Sequence, residues 1–399
     1  MEILKFDLNS SGNNFKILNA TNGGPWHRRY ANDQFRSNFA DYKSARIPYS
    51  RNHDSAVCGI YGGPYSHDIT YIFPDFDADP YDAESYDFAC TDESILVCLD
   101  AGTETFFRLG QTIEHQIKKH GTVPPEDFKK WAVICEHIIR HYNEGWADGY
   151  KLNIKYWEIW NEADLDPDDS SNKRTWGGTK AEFFDLFEIT TKHLKECFPD
   201  LKIGGPALAH NEEWAEDFLQ EMQKRNVPLD FFSWHIYCTE PVHMAQKAER
   251  IKTLLNKYGY ENSESILNEW NYVKGWTDEF LYTIKMIHGI KGAAFVMPSW
   301  KSLNPSGMSG PMLNRCFTDG DCGMASMMCL VITSSPAHTI ILMSAALQRY
   351  TISFLVSKCV AGITTAPSLC KAMVQNQNSM RRFKISITMS PCPMPRLWK

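Results

Sequence analysis

Between residues 15 and 297, short apolar runs alternate with longer stretches in which apolar side chains recur every third or fourth position. The short runs read as buried strands, and the longer ones as helices laid against a sheet. Strands are expected at 15–18, 44–48, 105–110, 156–160, 202–206, 231–237, 266–269 and 292–296. Between them, helices are expected at 128–142, 179–197, 212–225, 241–258 and 278–290. Pro124 and Pro125 are expected to open the first, which carries an apolar stripe at Phe128, Trp131, Ala132, Cys135, Ile138, Ile139 and Tyr142. Thr179 with Glu182 three positions on reads as a capping box opening the second. Strands separated by helices predict an α/β fold. A closed (β/α)8 TIM barrel is the simplest architecture that buries all these faces, and it places function at the strand C-termini. A doubly wound open sheet is the alternative, but no glycine-rich phosphate loop supports it. The polar, aromatic stretch 68–95 is expected to be a long loop over the barrel mouth.

The pattern fails after Met297. Residues 298–399 hold ten Lys and Arg but only two acidic side chains, Asp319 and Asp321, together with ten of the 15 Met and six of the 12 Cys. Apolar runs there lack caps and turn punctuation. We therefore expect a catalytic domain over 1–297 and an aberrant basic tail over 298–399. We read that tail as translation in a shifted frame; an independent DNA sequence without a frame change there would refute this.

The net charge of −7, with no long basic run, argues against nucleic-acid binding. No apolar signal core is expected at the N-terminus, and no run is long enough to span a bilayer, so a cytoplasmic protein without membrane association is expected. The cysteines show no Cys-x-x-Cys pair and no ligand-spaced Cys/His cluster. Free thiols are expected, with no metal and no cofactor.

The candidate chemistry lies at two strand ends. Glu162 closes the run Tyr156-Trp157-Glu158-Ile159-Trp160-Asn161-Glu162, and Glu269 closes Ser265-Ile266-Leu267-Asn268-Glu269. Two carboxyls brought to one barrel rim suit glycoside hydrolysis. One donates a proton to the leaving oxygen, and the other attacks or stabilises the anomeric carbon. His235 and Tyr237 alternate on one strand and so share a face. Tyr237 would orient Glu269, and His235 would touch the acid or the sugar; a satisfied core histidine is the alternative. Trp160, Trp234, Trp270 and Trp276 offer apolar faces to a sugar, or else pack in the core.

At these residues the chain resembles clan A of the retaining glycoside hydrolases, and it is most similar to family 39, which includes β-xylosidases and α-L-iduronidases. The family's acid/base motif reads Trp, any residue, Phe, Glu, any residue, Trp, Asn, Glu, Pro, then Asp or Asn. Glu158, Trp160, Asn161, Glu162 and Asp164 match it, whereas Lys155, Trp157 and Ala163 depart from it. The resemblance covers roughly residues 15–297. It implies Glu162 as acid/base, Glu269 as nucleophile and Asn161 as a hydrogen-bond partner of the sugar 2-hydroxyl. Arg51 and His53 resemble the family's Arg-x-His segment; a surface ion pair with Asp54 is the alternative for Arg51. The implied activity is retaining cleavage of β-linked glycosides or oligosaccharides, with β-xylosidase the preferred reading. An endo-acting clan A β-glycanase, or an inactive, truncated carbohydrate-binding barrel, are the alternatives. Oligomerisation is compatible with the sequence and not specified by it.

Overall fold

The computed structural model describes residues 20–25, 39–52, 65–238, 240–272, 313–315, 371–376 and 383–388. The chain forms two compact units, residues 16–331 and residues 1–15 with 332–399. In the second unit the described residues form an antiparallel pair, Lys371–Asn376 with Phe383–Thr388.

The larger unit is built on a parallel sheet of eight described strands: β1 (Ala20–Asn22), β2 (Tyr49–Arg51), β3 (Glu104–Leu109), β4 (Tyr156–Ile159), β5 (Lys202–Leu208), β6 (Phe231–Cys238), β7 (Glu264–Tyr272) and β8 (Leu313–Arg315). Their order is β7-β6-β5-β4-β3-β2-β1-β8. The sheet curls on itself, and Asn22 Nδ2 donates to the Asn268 carbonyl at 2.7 Å, linking β1 to β7. Helices α1 (Phe39–Ala45), α2 (Ile69–Ile72), α3 (Ala89–Asp100), α4 (Phe128–Asn143), α5 (Lys180–Cys197), α6 (Glu212–Lys224) and α7 (Pro241–Lys257) lie between strands. This is the expected (β/α)8 barrel. Among the described residues, no helix is long and apolar enough to cross a membrane.

The strand period of two sorts the side chains into an outer wall and an inner column. Outward residues pack on the helices: Phe107 stacks on Trp157 at 4.8 Å and meets Tyr142 of α4 at 5.7 Å. The inner column is layered. Ala20, Phe106, Tyr156, Phe231 and Ile266, with Tyr49 beside them, form an apolar plug. Two residues further along each of those strands stand Asn22, Arg51, Arg108, Glu158, Ser233 and Asn268, all polar and all buried. Every contributing strand thus changes from apolar to polar at the same step, and the polar step faces the C-terminal rim.

Three expectations need correction. Residues 44–48 are not a strand. They hold the end of α1 and a turn at Arg46, whose φ is 52°. Tyr42, Ile47 and Ala101 bury there, and the strand starts after Pro48, which has no N–H for a ladder. The 68–95 stretch is not one loop, since it contains α2, a 3-10 turn at Ala83–Ser85 and the start of α3. Its aspartates suit it to tight turns: Asp75, Asp79, Asp82 and Asp87 each accept the backbone N–H two residues on. Helix α4 is capped by Asp127, which accepts from the N–H groups of Lys129 and Lys130, rather than opened by the proline pair. The expected strands 15–18 and 292–296 lie outside the described residues; the described eighth strand, Leu313–Arg315, lies beyond the break in composition.

Candidate active site

The end of β4 turns sharply. Trp160 and Glu162 have φ of 66° and 50°, a left-handed conformation that a side chain rarely adopts unless its surroundings fix it. Here they do. Trp160 N donates to Leu109 O at 2.7 Å, and its indole N–H donates to Thr175 O at 2.7 Å. Glu162 N donates to Ala207 O at 3.1 Å, and the Thr175 hydroxyl donates to Glu162 O at 2.5 Å. Gly110 permits the close approach of this turn, since a Cβ there would stand 2.9 Å from the Trp160 Cα. Asp164, just past the turn, accepts the N–H groups of Ala209, His210 and Asn211 at 2.7, 2.9 and 2.8 Å. It thereby ties the β4 turn to the start of α6. Asp164→Ala strands three donors, and we expect it to lower stability by about 2–3 kcal/mol, as loss of charge-assisted bonds does. Urea unfolding checks this, and a change below about 0.5 kcal/mol would contradict the tie.

Beneath the turn sits a charged floor. The Arg51 guanidinium is fully buried and donates in four directions: to Glu158 at 2.6 Å, Asn161 Oδ1 at 2.7 Å, Asn22 Oδ1 at 3.3 Å and Glu269 Oε2 at 3.4 Å. Asn268 Nδ2 donates to the other Glu158 oxygen. A buried ion pair holds only when its remaining hydrogen-bonding capacity is met, and here the amides meet it. Burial removes the surface-ion-pair reading of Arg51. The strand pairing also explains how Asn268 and Glu269, adjacent in sequence, both reach the inside. Trp234 pairs with Leu267 and His235 with Glu269, so Asn268 is the extra residue of a bulge.

Above the floor, Glu162, His235, Tyr237 and Glu269 converge. His235 Nδ1 lies 2.7 Å from Glu162 Oε1 and 3.8 Å from Glu269 Oε2. One oxygen of each carboxylate and one ring nitrogen all lie within 4.8 Å of one another. The Tyr237 hydroxyl donates to Glu269 Oε1. Burial, then the charge of Glu269, then that of Asp164 push the Glu162 carboxyl above its usual range, against the opposing pull of His235. Glu162 therefore holds its proton more readily than an exposed glutamate, while tyrosine and arginine donors solvate Glu269. Such a pair can give a proton on one side of a bond and supply a carboxylate on the other. Behind it, the buried Lys247 of α7 donates to the carbonyls of His235 and Ala209 at 2.9 and 3.2 Å and so fixes the ends of β6 and β5.

The structure brings together Arg51, Asn161, Glu162, His235, Tyr237 and Glu269. His53 and Trp276 lie outside the described residues. Trp160, Trp234 and Trp270 are buried. Trp160 packs on Trp131 and Trp176, and Trp234 donates to Ser265 Oγ, so both belong to the wall and not to a sugar platform. Sequence assigns no role to Asn22 or Asn268, and marks Glu158 only as a match to the family motif. A further signal for Glu158 is its place two residues past the inward Tyr156, a charge where the strand should be apolar.

Residues 67–272, just over half of the chain, match the glycosyl hydrolases family 39. A β-xylosidase of Geobacillus stearothermophilus is 33% identical over 129 residues, which cover 31% of this chain and 24% of that protein. A β-xylosidase of Caldicellulosiruptor saccharolyticus is 28% identical over 168 residues, covering 39% and 32%. The matched stretches thus span a third or less of these relatives. Among solved structures, a glucosidase from Croceicoccus marinus superposes with a TM-score of 0.66 at 23% identity, covering 82% of this chain and 69% of that one. A family 39 β-xylosidase from Caulobacter crescentus gives 0.51 at 17%, covering 76% and 63%. These two likenesses bear on the fold, which is the barrel described above. With the family match spanning the β3–β7 rim that carries both carboxyls, the chain belongs to glycosyl hydrolase family 39.

Proposed function

We propose that this protein is a retaining β-glycosidase acting on β-xylosides. The observation that carries this reading is the approach of the two carboxylates, with oxygens within 4.8 Å and the Glu162 carboxyl raised above its usual range. Retaining enzymes hold the two carboxyls about 5–5.5 Å apart, and inverting ones about 6.5–9.5 Å, to admit a water. Glu162 gives its proton to the glycosidic oxygen while Glu269 attacks the anomeric carbon and forms a glycosyl ester. Glu162, now ionised, takes a proton from water, which opens the ester with a second inversion. Asn161 turns its carbonyl oxygen to Arg51, so its Nδ2 is the donor for the sugar 2-hydroxyl. The xylose preference is supported by the two relatives named as β-xylosidases.

A panel of 4-nitrophenyl glycosides tests the sugar, and proton NMR of the first-formed product tests the stereochemistry. We expect the β-xyloside to be the best substrate and β-xylose to form first. The α-anomer forming first would overturn the retaining mechanism, and preference for another sugar would overturn the xyloside assignment. Cleavage requires protonated Glu162, so kcat/KM should fall as pH rises through its raised pKa, above the ~4.3 of a free glutamate. The same proton is bound more tightly in the folded state than in the unfolded one, so stability should also decline across that window. A kcat/KM that stays level to pH 9 would remove Glu162 from the acid role.

A further inference from the structure

On the outside of the barrel, α4 and α5 bring together a second set of ionisable side chains. His193 and Cys197 stand four residues apart on α5 and so share one face. Glu136 of α4 faces them. His193 Nε2 lies 2.6 Å from Glu136 Oε2, and Cys197 Sγ lies 3.9 Å from that same nitrogen. One donor atom from each of the three lies within 4.8 Å of the other two. This is convergence on one point and not a chain of pairs, because a Glu136 oxygen and the Cys197 sulfur, besides facing the imidazole, also lie within 4.8 Å of each other.

We infer that Glu136, His193 and Cys197 form a binding site for a borderline-soft divalent cation of the zinc class. An imidazole nitrogen, a thiolate and a carboxylate oxygen are a donor set that zinc accepts, with water in the fourth position. The carboxylate is oriented for this role. Arg140 Nε holds its other oxygen, Oε1, at 2.7 Å, which keeps Oε2 toward His193. Hydrogen bonding of a ligand's far side is how metal ligands are commonly fixed. The site is reachable, since the His193 and Glu136 side chains are 29% and 11% exposed. Bringing a tetrahedral ion in requires the carboxylate oxygen and imidazole nitrogen, 2.6 Å apart, to part by about 0.7 Å, given metal–ligand lengths of about 2.0–2.1 Å. The Cys197 thiol gives its proton to solvent on binding. Burial and the Glu136 charge hold that thiol above its ordinary range, and Arg140 opposes a second cation, so a moderate rather than a tight site is expected. Bound metal would clamp α5, the helix after the Glu162 turn, to α4.

Cobalt(II) tests the site, because a thiolate ligand gives it a near-ultraviolet charge-transfer band and tetrahedral geometry gives visible bands near 600–700 nm. The full chain is titrated with cobalt chloride under reducing conditions, alongside Cys197→Ser and His193→Gln, with far-UV circular dichroism confirming that each variant is folded. We expect one equivalent to bind with both bands, at least a tenfold weakening in His193→Gln, loss of the charge-transfer band in Cys197→Ser, and a rise in Tm of the parent alone with zinc chloride. Bands that persist in both folded variants would assign the metal to other cysteines and overturn the inference. Cobalt binding without a thiolate band in the parent would do the same, as would no binding. A metal held at Glu162, His235 and Glu269 gives no thiolate band, so this outcome is separable from the proposed activity.

Discussion

Glu269→Gln is expected to reduce turnover of an aryl β-xyloside by on the order of 10⁴-fold or more, about 5.4 kcal/mol of transition-state stabilisation. The side chain is fully buried between Tyr237 and Arg51, and Gln preserves its size and, with its single acceptor oxygen, one of the two hydrogen bonds. The fold should therefore survive while the nucleophile is lost, because a neutral amide cannot form the glycosyl ester. The variant also removes the charge that helps hold the Glu162 proton, so the pKa of Glu162 should move down in it. Steady-state kinetics with near-UV circular dichroism as a fold control make the measurement. Residual turnover within tenfold of the parent would exclude Glu269 as the nucleophile.

Glu162→Ala should divide substrates by their leaving groups. For an alkyl xyloside or xylobiose, the leaving oxygen must be protonated as the bond breaks, and general acid catalysis of that kind contributes about 10²–10⁴-fold. For 2,4-dinitrophenyl β-xyloside the leaving phenolate needs no proton, so the first step should be nearly unchanged. The second step loses its general base, and the ester should accumulate as a burst of dinitrophenolate. Azide needs no base to attack and should restore turnover, giving the β-xylosyl azide. Equal loss on good and poor leaving groups, without rescue, would assign Glu162 a structural role only. His235 sharpens this test, since it contacts Glu162 at 2.7 Å and the alanine variant leaves it without that partner.

The region from residue 104 to 272 was the most legible part of the fold. There the strands are buried on both faces and the helices carry a single apolar stripe, so one-dimensional periodicity reports directly on packing. Helices α5, α6 and α7 begin within a residue or two of where Thr179, Glu212 and Pro241 placed them. The region around Ser44 has a strand-like sequence because α1 is seven residues long, too short for a helical period to stand out. The site followed the same division. Glu162 and Glu269 were legible because a carboxylate at the end of an apolar strand is costly to bury without a purpose. The Arg51 hub was only half legible, and its partner Glu158 had no assigned role, because their pairing joins residues 107 apart in sequence.

The sequence by itself determined the alternation of strands and helices, and hence a barrel with its polar end at the strand C-termini. It also determined which two carboxyls stand there, because side-chain period and strand polarity are local properties. The tertiary structure alone decided what those carboxyls can do. The distance between Glu162 and Glu269 depends on barrel closure and on the bulge that turns both Asn268 and Glu269 inward. The protonation of Glu162 depends on burial and on a negative neighbour from another strand. The convergence of Glu136 with His193 and Cys197 likewise needs two helices laid side by side. Distance, dielectric and charge are set by residues remote in sequence, and no window along the chain contains them.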